Sequence, residues 1–86
     1  MAITDTSALD GRPITVVNHN LADADDVPWE FYATEEDLTE EILRLVPVGT
    51  LVGIDPTLTE VLDALEPGTW AQRQTKTRPW EMYRMP

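Results

Sequence analysis

Thr50-Leu51-Val52-Gly53-Ile54-Asp55-Pro56-Thr57-Leu58-Thr59-Glu60-Val61-Leu62-Asp63-Ala64-Leu65 holds, within sixteen residues, the two hydrophobic patterns from which a fold class is read. Its first five residues form a short apolar run between turn signals, the pattern of a buried central strand. From Asp55 the pattern changes to that of a helix. Proline lies in the first turn, Thr57 and Glu60 are spaced as a capping box, and Leu58, Val61, Leu62 and Leu65 share one face. Glu66-Pro67-Gly68 stops it.

Upstream, the spacing predicts a second amphipathic helix over 34–46. Thr34 is placed to cap it, with Asp37 three residues on. Glu35, Glu36 and Asp37 would lie at the positive end of its dipole. Leu38, Ile42, Leu45 and Val46 would make its apolar face, and Pro47 would end it. Before that, Ile14-Thr15-Val16-Val17 and Trp29-Glu30-Phe31-Tyr32 read as strands, the second with Trp29 and Phe31 on its core face. Between them, 18–26 reads as a polar loop with His19 on its surface. Segments 69–74 and 80–85 read as two closing strands. The expected order is β-β-α-β-α-β-β: an α+β fold with two helices on one face of a mostly antiparallel sheet. Residues 1–11 read as an N-terminal arm, and 12–86 as a single domain with a basic and aromatic C-terminal segment, 69–86.

Bulk properties narrow the function classes. The 86 residues suffice for one small domain. A hydrophobic content of 42% argues against disorder throughout. Cysteine is absent, which excludes disulfides and thiolate metal sites. The opening residues carry neither a basic nor an apolar region of a secretory signal, and no apolar run approaches a membrane span. These features predict a cytoplasmic protein.

Charge is divided along the chain. Of sixteen acidic residues, fifteen precede Pro67, opposed only by Arg12 and Arg44; beyond it, Arg73, Lys76, Arg78 and Arg84 face Glu81 alone. The net charge of −10 exceeds the magnitude of about 2–8 that solubility asks of a small domain. Such a body repels nucleic acid and anionic membrane and attracts basic surfaces. The candidate contact residues are Asp23, Asp25 and Asp26 in the loop and Glu36, Asp37, Glu40 and Glu41 on the first helix. Carboxylates one helical turn apart are about 5.4 Å from each other, against about 3.4 Å between phosphates along a DNA strand, so a groove built for nucleic acid is a conceivable seat.

Two nearly identical pentapeptides, Pro28-Trp29-Glu30-Phe31-Tyr32 and Pro79-Trp80-Glu81-Met82-Tyr83, predict two equivalent strands. Trp80, Met82 and Tyr83 are of residue types enriched at interfaces, and they complete the candidate site as an apolar anchor. The basic residues beside them would pair with the protein's own acidic face or with another copy, giving self-association. No constellation for catalysis stands out: His19 is the only histidine, the Asp23 cluster lacks the spacing and glycine of a calcium loop, and no P-loop is present. No cofactor or metal is expected. The reading is a non-catalytic inhibitor or adaptor for a partner protein with a basic surface. In size and composition the chain is similar to small acidic proteins that phages direct against host defence enzymes, in which case its setting would be the host cytoplasm. The alternative is a small accessory subunit of a larger assembly, such as a virion or secretion machine.

Overall fold

A computed structural model describes residues 1–21 and 27–84. In chain order the elements are β1 (Ala2–Asp5), α1 (Thr6–Leu9), β2 (Val16–His19), β3 (Trp29–Tyr32), β4 (Leu43–Val46), α2 (Val48–Ile54), α3 (Leu58–Ala64), β5 (Thr69–Gln72) and β6 (Glu81–Arg84). The six strands form one sheet in the order β4-β1-β3-β2-β5-β6. Only β1 and β3 run parallel; the other neighbours are antiparallel. This is the α+β class expected, with a mostly antiparallel sheet.

One sheet face carries the core. Val17 lies opposite both Phe31 and Ala71, and all three are fully buried. Leu51 of α2, Leu58 and Val61 of α3, and Leu65 just beyond it join the same cluster, so both helices pack on that face. Burial of each of these large side chains contributes about 1.5–3 kcal/mol. Trp29 packs against the edge of this core beside Phe31, as its alternation with Phe31 predicts.

The first eleven residues are not an arm. β1 is inserted between β3 and β4, with Ala2, Thr4, Asp5 and Ala8 completely buried. The sequence disguises this because two of the four strand residues are polar. Thr4 Oγ1 donates to Phe31 O at 2.8 Å, and Asp5 accepts three backbone amides. Buried polar groups satisfied in this way carry little penalty, and no hydrophobic pattern marks them.

Between residues 34 and 54 the helix and the strand appear in the reverse order from that expected. Residues 33–42 form an irregular connection, and 43–46 are the edge strand β4. A helix over 34–46 would set Glu36 against Glu40 and Asp37 against Glu41, like charges one turn apart that disfavour it. Thr34 Oγ1 accepts from the Glu36 amide, forming a local turn in place of a helix cap. The strand β1 offers Leu43-Arg44-Leu45-Val46 a full partner, and tertiary pairing overrides the helical spacing. Downstream, Pro47 opens α2 at its N-cap position, where proline does no harm. Val48, Leu51 and Val52 then face the core at helical spacing, and 50–54 is helix, not a central strand.

Candidate interaction surface

A buried ion pair anchors the C-terminal part of the sheet. Arg73 follows β5 and Asp55 lies in the turn between α2 and α3; Arg73 Nη2 and Asp55 Oδ2 are 2.6 Å apart, both almost fully buried. Arg73 Nε donates to Ile14 O at 2.9 Å, and Nη1 donates to Thr57 Oγ1 and Lys76 O. Trp80 lies over the guanidinium, 4.1 Å from its centre. The Thr57 hydroxyl, expected in a capping box with Glu60, donates instead to Asp55 Oδ1 at 2.5 Å, and α3 has no side-chain cap. Burial pushes the Asp55 carboxyl upward, but hydrogen bonds from the Thr57 side chain, from Arg73 and from the Thr57 amide, with the Arg73 charge, hold it below the usual carboxylate range. Arg73 is therefore taken up by a buried acid of its own chain, and not by the acidic face with which the basic segment is expected to pair.

Trp80 thus belongs to the structural knot. It is half-buried against the core, and does not project as an anchor. Met82 and Tyr83 are exposed on the edge strand β6, but successive strand residues point to opposite faces, and the three do not form one patch. Tyr83 stacks on Trp70, with ring centres 4.6 Å apart, on the face away from the helices. The twin pentapeptides do give two strands with one shared detail. Tyr32 donates its hydroxyl to Glu30, and Tyr83 donates to Glu81 at 2.7 Å, each pair two residues apart on one strand face. Their settings differ: β3 is internal and β6 is an edge. Burial, then the bond to Glu30, raises the Tyr32 phenol above its ordinary range; at exposed Tyr83 the bond to Glu81 does the same.

The acidic residues separate into two groups. Glu36, Asp37, Glu40 and Glu41 all lie in the connection between β3 and β4 and are all exposed, with Glu35 beside them. None is ion-paired with another described residue. The segment is irregular but tethered at both ends: Ala33 and Thr34 amides donate to Asp5, and the Thr6 amide donates to Ile42 O. Asp23, Asp25 and Asp26 lie outside the described residues. The flanks of their loop, Asn20 and Val27, meet the sheet at the start of β3, opposite the end from which 33–42 leaves.

Two residues of this region escaped the sequence reading. Leu38, within the acidic segment, and Leu45, on β4, are 48% and 57% exposed, whereas the expected helix would have buried both. Strand alternation in Leu43-Arg44-Leu45-Val46 was the available signal. His19 is also placed differently from expectation. It lies in β2, stacks on Trp29 with ring centres 3.9 Å apart, and its Nδ1–H donates to Leu65 O at 2.8 Å, a structural histidine.

The basic residues leave the sheet from the same end as the acidic ones. β5 runs in the same direction as β3, since both are antiparallel to β2, so 73–80 departs beside Val16 and Tyr32. Lys76 and Arg78 are exposed there, on the β5–β6 side, and the acidic segment sits on the β3–β4 side. Where they leave the sheet, at the ends of β3 and β5, the two segments are two strand spacings apart, about 10 Å, and no ion pair joins them among the described residues. A cleft of about 480 Å³ beside the basic loop is lined by Gln72, Arg73, Gln74, Arg78, Glu81 and Pro79, almost all polar. Among the described residues no helix is long and apolar enough to cross a membrane. The chain matches no protein-family model, and no curated protein or solved structure is significantly similar to it.

Proposed function

We propose that this is a non-catalytic binding protein that engages a basic surface of a partner protein through residues 35–41 and the adjoining β4 edge. The observation that supports the reading is the density of exposed carboxylate: Glu35, Glu36, Asp37, Glu40 and Glu41 fall within seven residues. Holding them together costs repulsion that a cationic surface relieves on contact. The tethers at Asp5 and Thr6 mean that little ordering is needed on binding. Leu38 and Leu45 supply apolar contact beside the charge, and the unpaired edge of β4 suits strand addition. A partner whose basic surface is a nucleic-acid groove would be inhibited by occupancy. The cytoplasm, of a host cell if the chain is phage-encoded, is the setting this reading assumes.

The test is affinity capture from host lysate with the wild type and with Glu40→Lys/Glu41→Lys, at low and high salt. A protein retained by the wild type, lost with the reversal and released by salt is the expected result. Equal capture by both forms would remove the acidic segment from the account. A second reading, an accessory subunit of a larger assembly, draws on the two open sheet edges; structural proteins retained at high salt would favour it.

A further inference from the structure

β6 closes one edge of the sheet, and all four of its residues are exposed. Its free hydrogen-bonding groups follow from the strand beside it. The Arg73 amide donates to Thr15 O at 2.9 Å, and Thr15 lies opposite Arg73 when the β2–β5 register is continued by one residue. Ladder bonds alternate between the two sides of a strand, so Ala71 and Thr69 bond to β2, and Trp70 and Gln72 bond to β6. The residues opposite them on β6 are Tyr83 and Glu81. Met82 and Arg84 are left with N–H and C=O directed outward from the edge, where no described strand meets them. Met82 and Tyr83, 47% and 39% exposed, put two large apolar side chains on the same strand.

We propose that this edge is the contact of a symmetric homodimer, in which β6 pairs antiparallel with β6 of a second copy and two six-stranded sheets become one. The two-fold axis stands normal to the sheet at Met82. Such an axis keeps every side chain on its own face, so only residues of matching alternation can lie opposite each other. With Met82 opposite Met82, the outward N–H of each meets the outward C=O of the other. Glu81 then lies opposite Tyr83, and Arg84 opposite Trp80, so no like charges are paired. The Tyr83 hydroxyl donates to Glu81 of its own strand at 2.7 Å, and it finds the same acceptor across the axis.

The helix side of the edge is complementary in the same arrangement. Met82 lies opposite buried Ala71, which places it on that side, beside a cleft of about 300 Å³ lined also by Ala64 and Leu65 at the end of α3. The two Met82 side chains meet there and close both clefts. α3 runs along β6: Thr57 and Glu60 border the basic loop at one end, and Glu66 lies 3.8 Å from Arg84 at the other. Rotation about the axis exchanges these ends. It brings the exposed Lys76 and Arg78 of each copy towards Glu66 of the other, whose side chain is 77% exposed. The contact is short and the net charge of −10 per copy opposes encounter, so the dimer belongs to the weak, small-interface class. β4 and the acidic connection lie at the opposite edge and stay open to a basic partner, so the two proposals stand or fall separately.

The test uses the full chain alone, so its outcome is independent of any partner. Sedimentation from ~1 to ~300 µM should show the mass rising from 9.7 kDa towards twice that value. Met82→Pro is the discriminating variant. The Met82 N–H faces away from β5, so proline costs the monomer no ladder bond while the second copy loses its donor. This variant should stay monomeric over the same range, with circular dichroism verifying its fold. Lys76→Glu/Arg78→Glu should weaken association at least about tenfold. Because the chain has no cysteine, Met82→Cys reports the axis without background. It should cross-link to itself at least about tenfold faster than Leu45→Cys on the opposite edge. A wild-type monomer throughout the concentration range, association of Met82→Pro as strong as the wild type's, or Leu45→Cys cross-linking as fast as Met82→Cys would overturn the proposal.

Discussion

Asp5 accepts the backbone amide of Ala33 at 2.8 Å, joining positions 28 residues apart through a carboxylate that is wholly buried. The same Oδ2 takes the Thr34 amide, and Oδ1 takes the Ala8 amide to cap α1. One side chain thus ends β1, starts α1 and fixes the departure of the acidic segment. Asp5→Ala strands three donors and should cost about 3 kcal/mol or more, read as a lower urea midpoint at unchanged slope. Asp5→Asn retains one acceptor oxygen and should cost less.

Removing residues 1–5 should abolish cooperative unfolding altogether. The deletion takes out an internal strand and leaves β3 and β4 each with an unpaired edge facing a void. A thermal melt followed by circular dichroism distinguishes this from a dispensable arm, whose loss would leave the transition intact.

The Asp55–Arg73 pair should behave asymmetrically. Asp55→Ala leaves a buried guanidinium without its counter-ion and should cost about 3–5 kcal/mol. Adding Arg73→Met removes the orphaned charge and should restore part of the loss. Chemical denaturation of the two variants measures the difference.

Acid should reach the fold through Asp55. Its folded pKa is depressed below the ordinary value of 3.8, so its contribution is fully present above about pH 3.8. That contribution is lost as pH falls from there through the folded pKa. In Asp55→Asn this component should vanish, and melting temperatures from neutral pH down to about pH 3 should fall less steeply than in the wild type.

Glu40→Lys/Glu41→Lys should leave stability within about 0.5 kcal/mol of the wild type, or slightly raise it by relieving repulsion. Both side chains are exposed and neither is ion-paired with a described residue. The hydrogen bond that Arg44 makes here goes to the Glu41 carbonyl, which the substitution retains. Any loss of partner capture then reports charge and not unfolding; a melting shift of several degrees would remove that inference.

How much of this was legible in the sequence depended on how local each determinant is. α3 was readable because Leu58, Val61 and Leu65 mark its buried face within the element itself. β3, β5 and β6 were readable from aromatic and β-branched content between turn residues. β4 was not, because Leu38, Ile42, Leu45 and Val46 also fit a helical stripe. The deciding fact, a waiting partner in β1, lies some forty residues away. β1 itself was hidden by Thr4 and Asp5, which are buried through hydrogen bonds and not through apolarity. Of the candidate site, the exposed carboxylates at Glu36, Asp37, Glu40 and Glu41 were legible from charge density. That Trp80 is taken up by Arg73 was not, since the contact is set by the tertiary position of the 73–80 loop.

Because β1 is threaded between two strands that follow it in the chain, the order of synthesis and the order of assembly cannot agree. A ribosome delivers β1 before either neighbour exists, β3 only after Trp29 and β4 only after Leu43. Until Val46 has emerged, the buried Thr4 and Asp5 have no complete set of partners, and the nascent chain carries the unpaired β1 edge in the interval. Closing the middle of the sheet waits on contacts of long sequence separation, the kind that slows folding.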